Sequence, residues 1–330
     1  MSLRLLEVIV PDQPLEGVLV LLQDVNVVQV WTAGPPEAPG LVRILLDAHE
    51  AEQLSDRLVR RYGSLKDFRL ILLPVVATQP AVEKPSAEEV TVGPRRISRE
   101  ELYEHLAQAS RLTGVYVVMV ALSTVVAAVG LLRGDVAIII GAMVIAPLLG
   151  PNVALSLACT LGDPVLARRS LKAIAAGVAT AAALSLLLGA VLGVDPSAPE
   201  IVARTRVDGG DIALALAAGT AGSLAFTSGV PAVVVGVMVA VALLPPLVAS
   251  GLLAGAGFWI AAVGALMLTL TNVTCINLAA VATFLVQQVR PRTWWEAKRA
   301  KRATRLAVTA WVVMLAALAA LMLSDYVGAG

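Results

Sequence analysis

The polar residues able to do chemistry sit where the chain is least polar. The segment TLTNVTCIN carries Thr269, Thr271, Asn272, Thr274 and Asn277 within nine residues, inside a run from Asp211 to Arg290 that contains no charged side chain between its ends. A second uncharged run, from Asp135 to Asp163, holds GAMVIAPLLGPN, with Pro147, Gly150, Pro151 and Asn152, and then Ser156. Pro245 and Pro246 lie in VALLPPL within the first run. Each proline removes a backbone N–H and so frees a carbonyl, and glycine weakens a helix further. In hydrocarbon a freed carbonyl needs a neighbouring helix, water or a ligand.

The chemistry on offer is therefore dipolar. Amide and carbonyl oxygens suit a cation, N–H groups and helix N-termini suit an anion, and both suit a neutral polar solute. The residue types do not choose among these. Carboxylates, histidines and arginines are missing at membrane depth, which excludes the usual proton relay and a voltage sensor. No paired carboxylate, metal-ligand cluster or activated nucleophile lies there, so neither catalysis nor a cofactor or metal is expected. Two quieter readings stay open: a proline kink repaired locally, and asparagines that bond one helix to another.

The elements that must position these residues follow from composition. Of 330 residues 58% are hydrophobic, 4% aromatic and 15% charged, and the mean hydropathy is +0.83. This is the composition of a membrane protein. The net charge of +1 gives no reason to expect a nucleic-acid partner. Apolar runs of roughly 20 residues, enough to cross the bilayer core, predict seven spans at about 112–132, 136–160, 166–194, 211–227, 231–254, 257–288 and 306–324. Arg95, Arg96, Arg99 and Arg111 precede the first span, Arg168, Arg169 and Lys172 follow the second, and Arg290 to Arg305 follow the sixth. All fall on one side if the N-terminus is cytoplasmic. The opening MSLRLLEVIVPDQP does not read as a signal peptide. Asp163 before Pro164 reads as an N-cap, and Trp294-Trp295 with the following basic residues reads as an interfacial anchor to membrane lipids. Cys159 and Cys275 read as small buried hydrophobes.

An offset of 95 residues aligns AIIIGAMVIAPLLGPNVALSLA (137–158) with AVVVGVMVAVALLPPLVASGLL (232–253), matching Gly141 to Gly236, Met143 to Met238 and Pro151 to Pro246. Spans 1–3 (112–194) and 4–6 (211–288) then read as two copies of one three-helix unit. An odd number of crossings inverts the second copy. Inverted repeats with broken helices and a central site are the plan of many secondary transporters. The copies diverge in their polar groups, since Asn152 aligns with Leu247, and Thr271 and Asn272 with Ala176 and Gly177.

Residues 1–79 read as a soluble α+β domain. Strands at 3–10, 25–31, 41–46 and 68–76 alternate with helices at 14–23 and 48–62, the ferredoxin-like βαββαβ order, with a turn at GPPEAPG. Residues 80–97 are a linker rich in Pro, Glu and Ser. Ser98 with Glu101 reads as a capping box that starts a helix over 98–111 running into the membrane. Residues 289–305 form a basic cytoplasmic segment, and 306–330 a last span and C-terminus.

GAMVIAPLLGP with LSLACTLGD, VALLPPL, TNVTCINLAA and the lead ISREELYEHL resemble the bacterial and archaeal family termed domain of unknown function 389. LEVIVP and FRLILLPV resemble the domain that often precedes its membrane region. The resemblance implies an integral protein of prokaryotic inner membranes and brings no activity with it. The reading is a transporter or channel for a small solute or ion, expected to be a homo-oligomer, with a cytoplasmic regulatory or oligomerisation domain. The alternative is a membrane-anchored ligand sensor or assembly scaffold without transport.

Overall fold

The computed structural model describes residues 3–10, 16–33, 40–80, 97–229, 243–291 and 294–328. It divides into two units, Met1–Leu102 and Tyr103–Gly330. The turn at 34–39, most of the linker and the first half of the expected fifth span lie outside the described residues.

In the first unit β1 (Leu3–Val10), α1 (Glu16–Val20), β2 (Val27–Ala33), β3 (Gly40–Asp47), α2 (Ala48–Tyr62) and β4 (Arg69–Pro74) follow one another. The sheet order is β2-β3-β1-β4, and every neighbouring pair is antiparallel. That is the expected split βαββαβ arrangement. Burial alternates along β1, so Leu6, Val8 and Val10 join Ile44 and Leu46 of β3 in one core with Ala51, Leu54 and Leu58 of α2. The period of two on the strands meets the helical spacing on α2. Arg4 shares the inward face of β1, and its buried guanidinium is held 2.7 Å from Glu101. A charge at such a position is tolerable only when paired.

Among the described residues the remaining helices are α3 (Arg99–Ala109), α4 (Gly114–Arg133), α5 (Val136–Ile145), α6 (Leu149–Leu161), α7 (Pro164–Val191), α8 (Pro199–Val202), α9 (Gly209–Thr227), α10 (Leu244–Gly255), α11 (Trp259–Val286) and α12 (Trp294–Gly328). Among the described residues five stretches, α4, α7, α9, α11 and residues 297–321 of α12, are long and apolar enough to cross a bilayer, and the bent pair α5–α6 makes a sixth. The chain is a multi-pass membrane protein. Caps fix where helices begin: the side chains of Thr113, Asp135, Asp163 and Asp208 accept N–H groups at the starts of α4, α5, α7 and α9.

Three expectations change here. Ser98 does cap α3, accepting the Glu101 N–H at 3.2 Å, but the Glu101 carboxylate binds Arg4 instead of closing the box. The lead-in helix stops at Ala109 instead of entering the first span, because Thr113 starts a new helix by accepting the Tyr116 N–H. Arg99 adds nothing to the free basic charge: its guanidinium is buried against Asp56 at 2.8 Å and Glu100.

Helix boundaries recur at the 95-residue spacing. Helices α4 and α9 begin at 114 and 209, α6 and α10 at 149 and 244, and α7 and α11 run 164–191 and 259–286. Packing follows the same correspondence. Helix α7 packs on α10 as α11 packs on α6; α4 packs on α7 as α9 packs on α11; α6 packs on α7 as α10 packs on α11.

Candidate functional site

The break in the first apolar run falls at Ala146–Leu148, and α5 and α6 diverge there by 50°. Ala146 takes extended angles (φ −69°, ψ 118°), as the residue before a proline prefers. Pro147 therefore ends α5. Gly150 sits against Ala109, where an added Cβ would come within 2.7 Å of the alanine methyl. Pro151 is not a second break. It lies in the first turn of α6, where its missing N–H has no intrahelical partner to lose. Pro245 and Pro246 likewise occupy the first turn of α10, buried. Pro151 and Pro246 are each the third residue of a helix that begins inside an apolar run.

One turn into α6, the predicted polar residues split into two groups. Asn152, Ser156 and Asn277 come together between α6 and α11, all buried. The Asn277 amide donates to Asn152 Oδ1 at 3.2 Å and to the Val273 carbonyl at 2.8 Å. Its Oδ1 accepts the Ser156 hydroxyl at 2.8 Å. Asn152 in turn donates to the Leu148 carbonyl at 2.8 Å, next to the break. Asn277 thereby uses both amide hydrogens and its oxygen. The interhelical reading of these asparagines is the geometry observed.

The threonines behave differently. Thr269 and Thr274 donate to the carbonyls four residues back, at 2.9 and 2.7 Å, and are spent within their own helix. Thr271 Oγ1 is buried and has no hydrogen-bond partner among the described residues. Asn272 is buried beside it, 5% exposed.

The small-residue spacing Gly251-x-x-x-Gly255 reads from the sequence as close helix packing, and the structure supplies the partner helix. Gly189, Gly251 and Gly255 bring α7 and α10 to backbone contact: a Cβ on Gly189 or Gly255 would lie 2.1 Å from the carbonyl oxygen of Leu252 or Leu186. Ser185 faces Gly251 and back-bonds to Ala181 at 2.7 Å. The signal was present in the small residues but reads only as close packing until a partner helix is known. Thr160, which donates to the Ser156 carbonyl at 2.9 Å, extends the α6 polar line by one turn. No group of His, Cys, Asp and Glu able to hold a metal occurs among the described residues.

The profile of the Domain of unknown function (DUF389) matches residues 143–278. Over 282 residues the chain is also 38% identical to the uncharacterized protein MJ0678 of Methanocaldococcus jannaschii, covering 86% of this chain and 87% of that one. The chain belongs to the DUF389 family. The DUF389 match starts at Met143, whose carbonyl Pro147 leaves without its helical donor, and ends one residue past Asn277. The region shared by DUF389 proteins thus encloses the break, the start of α10 and the whole polar network. No solved structure matches the chain significantly.

Proposed function

We propose that this DUF389 protein is a transporter or channel for a small solute or ion, built from two inverted three-helix repeats over 112–194 and 211–288 within seven spans. The observation that carries the reading is the pair α6 and α10. Both begin mid-run, 95 residues apart, with a proline as third residue and a leucine N-cap that offers no side-chain hydrogen bond. A helix start inside hydrocarbon leaves N–H groups without intrahelical acceptors, a feature that transporters use to hold solutes. The exchange-symmetric packing supports the repeat. In this reading Asn152, Ser156 and Asn277 clasp α6 to α11 in a closed state, and Pro147, Gly150, Pro151, Pro245, Pro246, Thr271, Asn272 and Thr274 flank the path.

The orientation proposed is N-terminus cytoplasmic in a prokaryotic inner membrane. Arg111 shares a cavity wall with Arg168, Arg169 and Lys172, and Gly162 abuts the backbone of Ala300, amid the third basic cluster. Arg111 and the second and third clusters then lie at one end, which supports the positive-inside reading. The first unit would regulate or oligomerise the membrane part.

The test needs no known substrate. In a Cys159→Ala/Cys275→Ala background, single cysteines at 152 and 271 are probed with an impermeant maleimide from each side of reconstituted vesicles. Reaction at either position faster than at Val120→Cys, a buried core control, is expected. Equal and negligible reaction at all three from both sides would refute a solute path. That outcome is what the second reading, a sensor or scaffold, expects, and the closed hydrogen-bonded packing of α6 on α11 favours it.

A further inference from the structure

A cavity of about 630 Å³ opens at the basic end of the membrane unit. Its walls come from the segment before α4 and from the first three turns of α7, and they carry Arg111, Arg168, Arg169 and Lys172. These four cations are exposed, and none makes an ion pair or hydrogen bond with any described residue. Converging like charges without counter-charge repel one another and cost stability. A structure that gathers them into a concavity leaves that repulsion for an anion to relieve.

The polar groups nearby do not relieve it. Thr113 is occupied in capping α4. The cavity lining holds no carboxylate, and Asp163, next in the chain to Pro164, is committed elsewhere: Oδ1 accepts the N–H groups of Val165 and Leu166 at 2.8 and 3.1 Å, and Oδ2 accepts the Tyr103 hydroxyl at 2.7 Å. It neutralises the start of α7 and stays off the guanidinium groups. The lining residues thus carry four positive charges and no negative one. The rim is also apolar where it meets lipid: Leu112 is 47% exposed, Val165 67% and Val115 of the adjoining turn 73%.

We propose that this cavity is a phosphate-binding site, filled by the phosphodiester headgroup of an anionic phospholipid or by free phosphate. Arginine forks and a lysine match phosphate oxygens. A basic pocket between membrane helices, bordered by exposed aliphatic side chains, suits a headgroup whose acyl chains continue along α4 and α7. The proposal does not depend on transport.

The test uses the full chain, purified and delipidated in detergent, and native mass spectrometry with equal amounts of phosphatidylglycerol and phosphatidylcholine. Retention of phosphatidylglycerol over phosphatidylcholine is expected, reduced on the order of tenfold or more in Arg111→Gln/Arg168→Gln/Lys172→Gln, since each lost charge-assisted contact is worth about tenfold. The exposed triple Lys301→Gln/Arg302→Gln/Arg305→Gln on α12 should keep it. Protection of the wild type against heat by inorganic phosphate, lost in the pocket triple and without lipid preference, would support the site and name free phosphate as its occupant. Equal retention of both lipids with no phosphate effect in the wild type overturns the proposal, a result that needs no variant to fold. Equal loss in both triples overturns it too, since the attraction would then be diffuse.

Discussion

Replacing Asn277 by alanine should loosen α6 from α11 by an amount that can be worked out from the contacts. Two side-chain bonds cross that interface, Asn277 Nδ2 to Asn152 Oδ1 at 3.2 Å and Ser156 Oγ to Asn277 Oδ1 at 2.8 Å. Interhelical hydrogen bonds in membranes contribute about 0.6 kcal/mol on average and up to about 1.7. Two of them give roughly 1–3 kcal/mol. The truncation also opens space in a fully buried site and removes the donor from Asn152 Oδ1, so the upper half of that interval is expected. Ser156 loses less, because the Asn152 carbonyl lies 3.3 Å from its hydroxyl and can take the proton. The assay is unfolding in mixed micelles with increasing dodecyl sulfate, run as a double-mutant cycle with Asn152→Ala. A coupling of about 0.6–1.7 kcal/mol is expected for the direct amide pair. A coupling of zero within error, with Asn277→Ala costing under about 0.5 kcal/mol, would show that this cluster is not a fastening and would remove the clasp from the mechanism.

Two further predictions rest on independent geometry. Gly255→Ala puts a Cβ 2.1 Å from the Leu186 carbonyl oxygen, and should cost about 1–3 kcal/mol in the same assay, whereas Gly141→Ala, which meets nothing within 4 Å, should change stability by less than about 0.5. Tyr103 is pushed up to about 12 by burial and by its bond to the Asp163 carboxylate, both of which favour the neutral phenol. The sign follows from a folded value above the ordinary value near 10: the contribution is full below pH 10 and is lost as the pH rises through 12. A phenolate absorbance titration should show a late-ionising tyrosine that disappears in Tyr103→Phe, and a titration unchanged by that substitution would refute the assignment.

What could be read from the sequence was whatever depends on local pattern. The β1 alternation, the Asp163–Pro164 cap and the apolar lengths are all set by residues close in the chain, and the structure places those elements within a few residues of expectation. What could not be read was which partner consumes a polar group. The Glu101 carboxylate had two donors to accept from, the backbone N–H at the α3 start and the Arg4 guanidinium, and burial of Arg4 on the inward face of β1 decided for the ion pair because an unpaired buried guanidinium costs more than an unclosed capping box. Pro151 posed the same difficulty. Whether a proline breaks a helix or begins one depends on where the preceding helix ends, and Pro147 had already ended it.

Two helix seams of the membrane unit are closed by different chemistry. At the 95-residue offset Ser156 corresponds to Gly251 and Asn277 to Ala182. On the α6–α11 side, side-chain hydrogen bonds span the gap between helices. On the α7–α10 side, glycines close the gap until a Cβ at 251 would overlap the Ser185 hydroxyl. Backbone contact through glycine has no polar group to release and no alternative partner, so it holds one arrangement. A hydroxyl and two amides can exchange partners with water or solute at little net cost, because the bonds broken and formed are alike. If one half of this protein moves against the other, the asymmetry assigns the fixed seam to α7–α10 and the opening seam to α6–α11, beside the break at Pro147.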